Sequence, residues 1–193
     1  DISLTEAGAN MLAHSLKTFA PVSPSEILAA KYPEKIEKVG LLFTSNNQPL
    51  LPPPFPKQLF SLIGKPESRD EDGIVNHSLK VFRLIGSPGY INQVDAIQTA
   101  RKLYRRSYHP AGVLQQFLAI LCTGSLLKLD KQIEKPTLVL HGSKDRLLPP
   151  SHGKAVAKAI SGAKFELIDG MGHDIPPHFI PNLSELFAQH FKL

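Results

Sequence analysis

The chain of 193 residues is short of several common features, and each absence closes a class of function. It has one cysteine, Cys122, so no internal disulfide can staple it. The place of Cys122 in the apolar run Leu118-Ala119-Ile120-Leu121-Cys122 predicts a buried small hydrophobe, not a thiol nucleophile. Without a disulfide to preserve, a reducing, cytoplasmic compartment is the expectation. No apolar run approaches the roughly 18 residues that a membrane-spanning helix needs, so no membrane partner is expected. No basic-then-apolar leader is present, and a start at Asp1 predicts a processed chain or one that begins partway through a longer protein. His14, His77, His109, His152, His178 and His190 lack metal-ligand spacing; His173 and His178 are separated by Pro176-Pro177 and share no helical face. There is no internal repeat. No Gly-x-Ser-x-Gly occurs anywhere.

The bulk composition is that of a globular chain. The apolar fraction of 42% supports a core and argues against disorder. The net charge of +5 is modestly basic, and its densest patch is Arg101-Lys102-Leu103-Tyr104-Arg105-Arg106. That patch predicts a solvated helix face. It sits on no recognisable nucleic-acid reader, so no nucleic-acid partner is expected.

Ser3-Leu4-Thr5-Glu6 has the form of a capping box and opens a helix over 3–19. Residues 27–32 predict a short helix stopped by Pro33, and Val39-Gly40-Leu41-Leu42-Phe43 a strand buried on both faces. Pro49, Pro52, Pro53, Pro54 and Pro56 then forbid helix or central strand and make a rigid exit from the sheet. Helical spacing predicts helices at 57–63, 71–85, 93–105 and 111–121, broken by glycines and prolines. The end alternates: strand 137–140, helix 152–160, strand 164–168, helix 181–191. That order is the signature of parallel α/β architecture. The organisation expected is a core segment over 1–45, a helical cap over 46–130, and a second core segment over 131–193.

Two motifs follow the last two strands. Gly142-Ser143-Lys144-Asp145-Arg146-Leu147-Leu148-Pro149 follows the first, and Gly170-Met171-Gly172-His173-Asp174 the second. Adjacent parallel strands place both at one carboxyl edge, where open α/β sheets bind ligands. An imidazole acting as general base needs an acceptor on its other nitrogen. Asp145 and His173 are therefore the candidate acid and base. Gly142 and Pro149 suit a tight loop presenting Asp145, and Gly170 and Gly172 allow a sharp bend at His173. His141 reads as strand-end packing, Asp174 as a local hydrogen-bonding group and Asp169 as a turn residue.

On these motifs the chain resembles the α/β-hydrolase fold family. The match covers 135–193 with high specificity and extends back through 32–39; the helical block over 55–129 resembles the family's cap. The proline-rich run at 48–54 and Gly172-His173-Asp174-Ile175-Pro176-Pro177 are most similar to small serine ester hydrolases. The resemblance implies a mostly parallel sheet with helices on both faces and an inserted cap. It also implies Asp145 as triad acid, His173 as triad base, a small-molecule ester substrate, and neither metal nor organic cofactor. Oligomeric state is not readable from it.

The chain departs from the family at the nucleophile. The family's elbow lies between a strand and a helix, but only Ala20-Pro21-Val22-Ser23-Pro24-Ser25 separates the corresponding helices here. Ser23 and Ser25 are flanked by proline, and Ser87 in Gly86-Ser87-Pro88-Gly89 has no strand before it. None of the three is promoted to nucleophile. The expectation is an incomplete fold, without its first strands and elbow, whose three-stranded remnant has an unpaired apolar edge. Two other readings stay open. An Asp in the elbow position would serve a dehalogenase or epoxide hydrolase. An inactive chain would bind a small apolar ligand or a protein.

Overall fold

A computed structural model describes residues 24–192. The helix expected over 3–19, and Ser23, lie outside the described residues. In chain order the elements are α1 (Pro24–Lys31), β1 (Val39–Leu42), α2 (Pro56–Ile63), α3 (Glu71–Ile85), α4 (Gln93–Arg106), α5 (Pro110–Thr123), α6 (Leu127–Asp130), β2 (Thr137–Gly142), α7 (Ser151–Ala159), β3 (Lys164–Ile168) and α8 (Ile180–Phe191).

The strands form one parallel sheet in the order β1-β2-β3, with Val39 opposite Thr137 and Leu138 opposite Lys164. β2 is central, and all of it is buried. Side chains alternate across it. Val139 packs with Ala29, Val39, Leu41, Val156 and Ile160 on the face covered by α1 and α7. Leu138 and Leu140 pack with Ile168, Phe179 and Leu183 on the face covered by α8. A strand covered on both sides has no solvent face to mark with polar residues, which is why β2 reads as a continuous apolar run. A Cβ on Gly40 would lie 2.8 Å from a Phe187 ring carbon, so this glycine lets α8 lie close on β1.

Helices α2 to α5 occupy the stretch between β1 and β2, with ends within two residues of those expected. The Asp70 side chain accepts from the Gly73 N–H at 2.8 Å to cap α3, and Asn92 caps α4 through the Val94 and Asp95 N–H groups. The two helices bury Val75, Leu79 and Ala100 against each other. Of the basic patch, Lys102 and Arg106 are exposed as expected. Arg105, exposed as well, and Arg101 also reach across to α3, where they pair with Glu71, and Arg101 with Asp72 too. Exposed pairs of this kind contribute little, so the apolar seam is the stronger tie.

Two expectations are corrected. Cys122 is exposed, not buried. It shares a helix face with Leu118, one turn earlier and 49% exposed, because that face of α5 is uncovered among the described residues. β2 also runs on to Gly142, so Gly142 belongs to the strand and not to the Asp145 loop. Its role is close approach: a Cβ there would lie 2.3 Å from the Met171 carbonyl oxygen.

Candidate active site

Three strand ends converge at the carboxyl edge of the sheet. β2 leads into Ser143-Lys144-Asp145 and β3 into the loop carrying His173. Backbone hydrogen bonds join these two loops directly: Ser143 N–H to Ile168 O at 2.9 Å, and Lys144 N–H to Met171 O at 2.8 Å. Gly170 adopts φ +76°, the left-handed region that favours glycine, and turns the chain back toward β2.

The structure brings Asp145 and His173 together. His173 Nδ1 lies 2.7 Å from Asp145 Oδ2. Asp145 Oδ1 accepts from the Leu147 N–H at 3.0 Å and the Leu148 N–H at 2.7 Å. The Asp145 side chain is fully buried, whereas that of His173 is 27% exposed. Burial raises the pKa of Asp145. Hydrogen bonds from His141 and His173, the charge on His173 and the Leu148 N–H outweigh it, so the carboxyl lies below its ordinary range. An ionised carboxylate only accepts. Nδ1 therefore carries a proton toward Asp145, and in the neutral ring Nε2 is the acceptor. No described residue hydrogen-bonds to Nε2.

Phe43, which sequence reasoning did not single out, forms one wall. Its ring centre lies 4.8 Å from that of His173 and meets the His141 ring edge-on at 6.0 Å. Its φ of +55° is rare for a bulky residue. Such strain persists only where the surroundings enforce it, and it clusters at functional sites. No sequence signal marks it, since the residue type argues against that conformation.

His141 is packed as expected, with no exposed surface, and it also touches the acid. Its Nε2 lies 2.8 Å from Leu148 O and 3.4 Å from Asp145 Oδ2. Gly153 on α7 makes room for the ring, since a Cβ there would lie 2.5 Å from His141 Nδ1. His152, which the sequence marked only as lacking metal-ligand spacing, forms a serine–histidine pair: Ser45 Oγ lies 2.7 Å from His152 Nδ1, and His152 Nε2 lies 2.8 Å from Pro52 O. A carbonyl only accepts, so Nε2 holds the proton and the Ser45 hydroxyl donates to Nδ1. Burial lowers the pKa of His152 and keeps the ring neutral. With Ser45 at 3% and His152 at 6% exposure, no substrate carbonyl reaches this pair; it pins the loop after β1.

The other serines are also placed. Ser25 is exposed on α1. Ser87 is fully buried, and its hydroxyl donates to Asp174 Oδ1 at 2.5 Å. Asp174 is thus a hydrogen-bonding group, but a long-range one and not the local one expected. Asp169 lies in a turn and accepts from Ser143 Oγ at 2.9 Å. A cavity of about 270 Å³, lined by Phe82, Tyr90, Ile91 and Ala96 among others, opens beside Asp174; neither His173 nor Asp145 borders it. Among the described residues, no group of three or more His, Cys, Asp or Glu side chains could hold a metal ion, and no helix is long and apolar enough to cross a membrane.

This parallel sheet with helices on both faces is shared with solved structures. The meta-cleavage product hydrolase of Pseudomonas fluorescens IP01 superposes with TM-score 0.63 over 86% of this chain and 59% of its own, at 17% identity. The enol-lactonase of Burkholderia xenovorans LB400 does so with TM-score 0.58 over 86% and 58%, at 17% identity. This chain has the α/β-hydrolase fold. A third such structure, the 2-hydroxy-6-oxo-6-phenylhexa-2,4-dienoate hydrolase of Rhodococcus sp. strain RHA1, has TM-score 0.60 over 86% and 59%, at 16% identity. The chain thus spans about three fifths of the length of these α/β-hydrolase-fold structures. No sequence-family profile matches it.

Proposed function

We propose that this chain belongs to a hydrolase that cleaves a carboxylic ester through a serine acyl-enzyme, with Asp145 and His173 as its acid–base pair and the nucleophile outside this sequence. The observation that carries the proposal is the 2.7 Å contact between His173 Nδ1 and Asp145 Oδ2, made by a buried acceptor and a partly exposed ring. In this reading His173 Nε2 takes the serine proton as the oxygen attacks the ester carbonyl. Asp145 then holds the imidazolium, and the proton passes to the leaving alcohol. Water repeats the sequence on the acyl-enzyme. Helices α2 to α5 act as a cap, which would shape the substrate site and exclude water. The enol-lactonase among the structural neighbours acts, by its name, on a lactone, an internal ester.

The test uses the intact source protein with a fluorophosphonate and with a chromogenic acetate ester. A covalent phosphonyl adduct on serine is expected, together with ester turnover that His173→Ala reduces by about 10⁴-fold or more. Transfer of solvent ¹⁸O into an aspartate carboxyl would replace this reading with dehalogenase or epoxide hydrolase chemistry. Ligand binding with neither adduct nor turnover, unchanged by His173→Ala, would replace it with a non-enzymatic role.

A further inference from the structure

The turn between α3 and α4 does more than connect two helices. Gly86 and Ser87 cross directly against Gly172, His173 and Asp174. His173 N–H donates to Ile85 O at 2.8 Å. Gly172 N–H donates to Ser87 Oγ at 2.8 Å. In return the Ser87 N–H donates to Asp174 Oδ1 at 2.8 Å, and the Ser87 hydroxyl donates to the same oxygen. Residues 172, 173 and 174 each have a partner in this turn or at the end of α3 that enters it. The backbones touch: a Cβ on Gly172 would lie 2.4 Å from the Gly86 carbonyl carbon, and one on Gly86 would lie 2.7 Å from Asp174 Oδ2. Ser87 is fully buried, and its hydroxyl is satisfied as both donor and acceptor.

We infer that Ser87 and Asp174 are positioning residues for His173, forming a clamp by which the helical block carries the base loop. This rests on the proposed role of His173 as base. Three constraints then define the imidazole: Asp145 at Nδ1, the Phe43 ring against its face, and the clamp on its backbone. The first two come from the strand ends, the third from the helical block. Lifting that block off the sheet therefore withdraws one of the three, so cap opening and loss of base alignment are a single event. Neither Ser87 nor Asp174 touches the imidazole in this arrangement; both act through the backbone on either side of it.

The test reads His173 directly and needs no substrate. In the ¹⁵N-labelled chain, the Nδ1 proton of His173 is followed by NMR through its exchange with water and its tautomer. Ser87→Ala removes the hydroxyl from the clamp, and Asp174→Ala removes the acceptor. Each is expected to speed exchange of the Nδ1 proton about tenfold, the effect of losing one hydrogen bond from the closed state, and to admit the Nε2–H tautomer. Asp174→Asn keeps an acceptor oxygen for Ser87 and should restore slow exchange. A merely structural role would lower the melting temperature and leave the His173 proton unmoved; that result in either folded alanine variant overturns the inference. Should Ser87→Ala fail to fold, the half-buried Asp174 decides the matter through its Ala and Asn variants. Absence of an adduct on the source protein would remove the ester reading without touching the exchange result, so the two failures are distinguishable.

Discussion

Asp145 and Asp130 are two buried carboxyls within one half of this chain, and their surroundings drive them in opposite directions. Both lose water, and burial alone raises the pKa of each. Asp145, on the loop after β2, receives two backbone N–H groups and faces two imidazoles, and it lies below its ordinary range. Asp130, on α6, accepts from Asn46 Nδ2 at 2.8 Å and shares a hydrogen bond with Glu26, a second buried carboxyl, whose Oε2 also accepts from Thr44. Burial dominates there, and its pKa is pushed up to about 6. What ionises a buried acid is therefore the number of donors aimed at it, not its depth. The loop after β2 favours a charge on its carboxyl, and the packing of α6 on α1 makes a charge costly.

The largest expected effect comes from removing the donors' target. Asp145→Ala should lower the unfolding free energy of the chain by about 3 kcal/mol in urea, because the Leu147 and Leu148 N–H groups and two imidazoles lose their acceptor. The lowered pKa of Asp145 also sets a sign. Its contribution is present above the ordinary carboxylate range and is lost as the pH falls through the folded-state value. Asp145→Asn should flatten that acid limb in pH-dependent melts; an unchanged limb would mean that the two carboxyls do not differ as described.

Asp130 carries the opposite sign and a smaller effect. Its folded-state pKa lies above the unfolded one, so its contribution is full below about pH 4 and is lost as the pH rises through about 6. Asp130→Asn resembles the protonated form, so it should be close to neutral at pH 4 and stabilising by about 2 kcal/mol at pH 8. Equal effects at the two pH values would erase the contrast with Asp145. The smallest effect separates the two histidine pairs. Ser45→Ala should cost about 1 kcal/mol of stability, the value of one hydrogen bond. It should leave fluorophosphonate labelling of the source protein unchanged; lost labelling in a folded variant would move the chemistry to the buried pair.

Much of the architecture was legible in residue order. The apolar run at 137–140 predicts a buried parallel strand because a strand covered on both faces leaves no polar alternation, and the strand–helix–strand order places 164–168 beside it. Glycine and proline breaks, Gly86 and Pro110 among them, mark helix ends because their backbone chemistry is local. The meeting of Asp145 and His173 followed from strand adjacency. Burial of α5 did not follow, because Cys122 and Leu118 are apolar whether or not anything covers them. Nor did the left-handed Phe43, whose conformation is imposed by packing against His141 and His173.

Local patterning, carried by periodicity and turn residues within a few positions, determined the strands, the helices and the placing of Asp145 and His173 at one edge of the sheet. Tertiary structure alone decided in which direction each buried carboxyl is shifted. It alone set Ser87 against Asp174 and Ser45 against His152, pairs 87 and 107 residues apart in the chain. The physical reason is range. Backbone preference acts between neighbours, whereas desolvation and hydrogen bonding between distant segments exist only after the sheet and its covering helices have closed around them.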